Sequence, residues 1–155
     1  MPLVVTLRPV DPAEYDEFFA ALAEYVHELD QYDPTANDDP WYPEIHRAAV
    51  LDDMEGRDVL WIEADGARAG FAMVRVYPDF PDDSRDVAEI AEFCVFAAFR
   101  GRGIGAGAVS AIIEDHRARG THSIDASVLR GNEAALRFWE RMGFIVRSVD
   151  TTLRL

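Results

Sequence analysis

Nine residues in the last third of the chain, Phe99-Arg100-Gly101-Arg102-Gly103-Ile104-Gly105-Ala106-Gly107, constrain the fold more than any other stretch. They follow a long apolar run, Val87 to Phe96 (VAEIAEFCVF), that reads as a strand. They open onto Ile104, Ala108, Ala111 and Ile112, which line one face of a helix ending near Gly120. A helix start leaves backbone N–H groups unpaired and carries the positive end of the helix dipole, so it attracts phosphate. Glycines let the backbone approach a bulky diphosphate in conformations barred to other residues. Arg100 and Arg102 add charge-assisted donors. Two other phosphate turns do not fit. A P-loop needs a lysine after its glycines, and all 15 basic residues here are Arg. A Rossmann turn needs G-x-G-x-x-G near the start of its unit, whereas these glycines alternate and come after roughly two-thirds of the domain.

The rest of the chain supplies strands and helices around this turn. Leu3 to Arg8 reads as a first strand closed by Pro9. Asp11-Pro12-Ala13-Glu14 announces a helix, with Asp11 as cap, Pro12 at the first helical position and Glu14 completing a capping box. Tyr15, Phe18, Phe19, Leu22, Tyr25, Val26 and Leu29 then follow helical spacing. A polar, proline-broken loop spans 30–43, and a shorter helix is expected from about Glu44 to Glu55, stopped by Gly56. Asp58 to Ala64 and Arg68 to Tyr77 read as strands joined at Asp65-Gly66, a hairpin signal. Beyond the turn, Ser123 to Leu129 reads as a strand. Ala135, Phe138, Trp139 and Met142 mark a last helix, and 144–155 is expected to add one or two closing strands. The order predicts a mixed α/β sheet with helices on both faces, built as a single domain over 1–155.

Composition excludes several classes. The net charge is −14, which argues against a nucleic-acid or anionic-membrane surface. Most of the excess lies in residues 11–58, which hold 15 acids against Arg47 and Arg57 alone. The single Cys94 forbids an intrachain disulfide and a cysteine-rich zinc site. His27, His46, His116 and His122 show no metal-ligand spacing, and His116 is expected on the exposed face of its helix. The N-terminus has no basic flank and apolar h-region, and no stretch is long and apolar enough to span a membrane, so the expected location is cytoplasmic.

The turn resembles the acetyl-CoA signature of the GNAT superfamily of N-acetyltransferases, Arg/Gln-x-x-Gly-x-Gly/Ala, here Arg100-Gly101-Arg102-Gly103-Ile104-Gly105. A second family element, Asn-x-x-Ala-x-x-x-Tyr-x-x-x-Gly-Phe, is matched by Asn132, Ala135, Gly143 and Phe144, with Trp139 in place of the tyrosine. The resemblance covers essentially the whole chain. It implies a mostly antiparallel central sheet of six to seven strands, flanked by about four helices. Two central strands would splay to form the CoA cleft. It also implies acetyl-CoA as co-substrate, with Val95 and Phe96 offering backbone groups to the pantetheine arm. By the same resemblance, Gly101, Arg102, Gly103, Ile104, Gly105 and Ala106, led by Arg100, would hold the diphosphate. Asn132 would hydrogen-bond pantetheine, and Ala135 and Phe138 would pack near it. Dimerisation through a sheet edge is common in the family and is left open by the sequence.

Acetyl transfer to an amine needs a base, an oxyanion donor and a route for protonating the thiolate. The resemblance implies the backbone N–H near Val95 as oxyanion donor. Glu92 is the first candidate base and Glu89 the second, because an acid within an apolar strand is costly unless exposed or functional. Cys94 reads better as a small hydrophobe than as a covalent nucleophile. The family's usual acid is the tyrosine replaced by Trp139, and indole supplies no proton at neutral pH. The thiolate then leaves unprotonated, or Tyr77 or water substitutes, or the chain is a non-catalytic acyl-CoA-binding or regulatory module. The acidic segment, with Asp33, Asp38 and Asp39 beside Tyr32, Trp41 and Tyr42, suits a cationic amine; it equally suits a solvated surface.

Overall fold

Three neighbouring runs of apolar residues build the centre of the sheet. The computed structural model describes residues 2–155. Strand β2 (Arg57–Ala64) turns through Asp65 and Gly66, both at positive φ, into β3 (Ala67–Pro78), the two-residue hairpin geometry that Asp-Gly favours. Strand β4 (Asp86–Val95) pairs antiparallel with β3, and β1 (Val5–Pro9) pairs antiparallel with β2. Strand β5 (Ile124–Ala126) lies parallel to β4, giving the order β1-β2-β3-β4-β5. Gly70 has a packing reason: a side chain there would collide with the Cys94 carbonyl oxygen across the β3–β4 ladder.

Four α-helices cover the two faces: α1 (Tyr15–Leu29), α2 (Pro43–Asp52), α3 (Ile104–Arg119) and α4 (Glu133–Arg141). Alternation along β3 sorts the core. Phe71 and Met73 face Phe18 and Leu22 of α1 and Val50 of α2, together with Trp61. Ala72 and Val74 face Val109 and Ile112 of α3 and Trp139 of α4. Burying side chains such as Phe18, Phe71 and Ile112 stabilises the fold by about 1.5–3 kcal/mol each. The capping box forms before α1, where a single 3-10 turn (Pro12–Glu14) intervenes. Asp11 Oδ1 accepts from the Ala13 N–H at 2.9 Å, and Glu14 Oε1 accepts from the Asp11 N–H at 3.0 Å.

The sheet has five strands among the described residues, not six to seven. Residues 144–155 form no strand, and Ile145, Val146, Val149, Leu153 and Leu155 are exposed. The expected strand over 123–129 is ordered as a ladder only at Ile124–Ala126. His116 is buried rather than exposed. It continues the apolar face of α3 four residues beyond Ile112, and its Nδ1 lies 2.9 Å from the Thr121 hydroxyl.

A cleft between a splayed strand pair and a helix start

β4 and β5 pair only at Ala88–Ile90, and beyond that point they part. A bulge at Ala91 coincides with the parting: Met73 pairs with Glu92 and Val74 with Ile90, so Ala91 has no partner on β3. Past the bulge the ladder is regular. Phe96 donates its N–H to Ala69 across the sheet at 2.8 Å. Backbone direction alternates along an antiparallel strand, so the N–H and C=O of Phe93 and Val95 point away from β3 and into the gap.

The gap widens into a cleft of about 790 Å³. One wall is β4 from Ile90 to Val95, except Glu92, and the opposite wall is Ser127, Val128 and the start of α4. Its end is the glycine turn. Gly103, at φ +77°, is the N-cap of α3 and offers no side-chain acceptor. The first bond into this turn is Gly107 N–H to the Gly103 carbonyl, which leaves the amides of Ile104, Gly105 and Ala106 without helical partners. Gly101 also has positive φ, and nothing crowds either glycine, so backbone conformation is what glycine provides there. At Gly105 a side chain would make only ordinary contact with Phe138 and Val95 on the two walls.

Most residues singled out from the sequence meet in this cleft: Val95, Arg100, Gly101, Gly103, Ile104, Gly105, Ala106, Asn132, Ala135 and Phe138 line it. Arg102 and Phe96 do not. Arg102 lies over the Phe99 ring, and Phe96 packs against the core under α1, tilted on Phe71. Arg100 is already engaged, its Nε on the Val95 carbonyl at 2.9 Å and its Nη1 3.0 Å from Glu28. The Asn132 side-chain oxygen caps α4 by accepting from Ala135 at 3.2 Å. Trp139 is buried among Phe93, Phe138 and Phe144. That is a packing role.

Glu92 points to the α1 side of the sheet, in register with Met73. Burial, reinforced by Glu89 and opposed by Arg57, raises its pKa to about 7. Cys94 is buried too, and burial pushes its thiol up to about 11. Tyr77, a sequence candidate for proton donor, pairs with Val87 near the far end of β3 and stands outside the cleft.

From α1 and the turn that follows it, Tyr25, Glu28, Leu29 and Tyr32 line the cleft. Of the acidic and aromatic edge read from the sequence, only Tyr32 is among them. Asp33 is tied to the Thr35 N–H and hydroxyl, Asp39 pairs with Arg154, and Trp41 packs edge-on against His46. Sequence reading had placed Tyr25 only among the apolar positions of α1. Asp58, Asp115 and His116 also come together, but Arg119 already spans the two carboxylates at 3.0 and 2.7 Å. No described helix is long and apolar enough to cross a membrane.

The family model described as acetyltransferase (GNAT) family matches residues 19–144. The chain belongs to this family, whose members generally use acetyl-CoA as co-substrate. No curated protein matches it. Solved structures similar to it include a ribosomal-protein-alanine N-acetyltransferase from Brucella melitensis biovar Abortus 2308 (17% identity, TM-score 0.73, covering 98% of this chain and 99% of that one). A transcriptional regulator from Bacillus halodurans C-125 is 20% identical, with TM-score 0.73 and 98% and 100% coverage. An aminoglycoside acetyltransferase from an uncultured soil metagenomic sample is 15% identical, with TM-score 0.70 and 97% and 96% coverage. At these identities the likeness shows the fold.

Proposed function

We propose that this protein is an N-acetyltransferase that moves the acetyl group of acetyl-CoA directly onto a primary amine of a small molecule or peptide. One observation carries the reading: the outward backbone N–H groups of β4 and the free amides of the α3 N-terminus open onto the same cleft. The amides from Gly101 to Ala106 hold the diphosphate. Phe93 exchanges hydrogen bonds with the pantetheine arm as an added strand would, and Asn132 contributes its amide. The thioester then lies beside β4, where the outward Val95 N–H faces the carbonyl and stabilises the oxyanion.

Glu92 is the base. Its raised pKa lets it accept the ammonium proton near neutral pH, so that the amine lone pair is free to attack. The acceptor enters between α1 and β4, past Glu28 and Tyr32, and the excess of acids over residues 11–58 favours a cationic amine.

The test is a thermal-shift titration with acetyl-CoA, followed by thiol release and product mass over a panel of cationic, neutral and anionic amines. Release with cationic amines supports the reading. Preference for anionic acceptors contradicts the acceptor class. A second reading is favoured by Trp139 at the position of the family's tyrosine: a module that binds acyl-CoA without turning it over. Binding without thiol release across the panel would select it.

A further inference from the structure

We propose that Tyr25 protonates the departing thiolate, supplying from α1 the proton that Trp139 cannot supply from α4. The inference rests on the acetyltransferase reading above and deepens it. Tyr25 occupies a helical position that would be a core site, and its ring does pack edge-on against Phe71, with centroids 5.6 Å apart. The same side chain nonetheless lines the cleft, together with Phe93, Cys94 and Val95. The Phe93 backbone amide is close enough to the phenol to favour its ionised form. That amide is one of the two β4 N–H groups that face the gap. Tyr25 therefore stands beside the strand where the thioester carbon and sulfur must lie for the oxyanion to meet a backbone donor.

The groups around the phenol keep it loaded. Burial first, then Glu92 and Cys94 of β4 and Glu28 of α1, oppose its ionisation and outweigh the Phe93 amide, so it holds its proton at neutral pH. Arg100 is the nearby cation on the turn, and Glu28 already neutralises it. The other hydroxyls fit less well: Tyr77 stands outside the cleft, and Tyr32 lines it from the turn after α1, against Gly131.

The step balances without a further reactant. An ammonium acceptor gives one proton to the Glu92 carboxylate, and the amine attacks the carbonyl carbon. The C–S bond breaks with its electron pair on sulfur, and sulfur takes the Tyr25 proton. The nitrogen of the new amide sheds its extra proton to the Tyr25 phenolate, which restores the phenol. Glu92 releases its proton to water.

The experiment compares wild type with Tyr25→Phe, which keeps the ring on Phe71, using two donors: acetyl-CoA and p-nitrophenyl thioacetate. The latter's thiolate is a good leaving group that needs no acid. The expected result is a kcat with acetyl-CoA about 10²-fold lower in the variant, with the p-nitrophenyl thioacetate rate within about threefold of wild type and acetyl-CoA affinity by calorimetry unchanged. Equal losses with both donors, or no loss with either, overturn the proposal while leaving the transferase reading in place. Wild-type protein that binds acetyl-CoA but releases no thiol overturns both.

Discussion

Arg100 Nη1 lies 3.0 Å from Glu28 Oε1, joining the glycine turn to the end of α1. The same guanidinium donates to the Val95 carbonyl through Nε at 2.9 Å. One side chain thus links α1, the glycine turn and the strand between them. Both partners are about half exposed, so the pair itself contributes little to stability, about 0–1 kcal/mol. Glu28→Gln is expected to lower Tm only slightly. It is expected to tighten acetyl-CoA binding by about twofold to fivefold, because an unpaired Arg100 turns to phosphate. Calorimetry on both proteins checks this, and weaker binding in the variant would contradict it.

Glu92 makes a prediction in which activity and stability move in opposite directions. Its folded pKa, about 7, lies above the ordinary 4.5. The unfolded chain therefore holds fewer protons between those values, and stability falls as pH rises from about 4.5 to about 7. Glu92→Gln is expected to be more stable than wild type at pH 8 by a few kcal/mol at most, with the gap closing near pH 4. In the same variant kcat is expected to fall about 10²-fold and to lose its inflection near neutrality. Denaturant titrations at several pH values, with a pH–rate profile, test both halves.

The carboxylate of Glu14 has the opposite sign. Hydrogen bonds from Arg8 at 2.9 and 3.1 Å, with the Asp11 N–H, lower its pKa to about 2. Arg68 donates to it as well. Its contribution is present above the ordinary 4.5 and is lost as pH falls from there through about 2. Glu14→Gln is expected to lower Tm at pH 7, and the difference from wild type is expected to shrink steadily below pH 4.

Gly103 sits at φ +77° with open space around it. Gly103→Ala therefore introduces backbone strain and no clash, costing about 1–2 kcal/mol. Relief of that strain would turn the first amides of α3 out of line, so acetyl-CoA affinity is expected to drop about tenfold or more while the apo protein stays folded.

Much of this architecture was legible because it is local. The Asp11–Glu14 capping box, the Asp65-Gly66 hairpin and the strand-turn-helix around Gly103 depend on neighbours in sequence. The residues of the cleft wall followed from the family resemblance. Non-local pairing was not legible. Phe144, Ile145 and Val146 have strand-like composition, yet nothing in their pattern says whether a partner edge is available, and 144–155 forms no ladder. Tyr25 was hidden by its own helical spacing, since a ring that packs on Phe71 looks like core whichever way its hydroxyl leaves. His116 carries a sequence signal of burial, since it stands one turn beyond Ile112 on the apolar face. Asp39 and Asp33 looked free because Arg154 lies far along the chain and the Thr35 turn is a matter of conformation.

Calorimetric titration of the protein with acetyl-CoA and, in parallel, with acetyl-pantetheine, which carries the thioester but no diphosphate, weighs the glycine turn most directly. Gripping of the diphosphate by the α3 N-terminus predicts saturable binding of acetyl-CoA, with acetyl-pantetheine weaker by about 10²-fold or more and the gap narrowing in Gly103→Ala. Equal affinity for the two compounds, or no binding of acetyl-CoA at all, would contradict it.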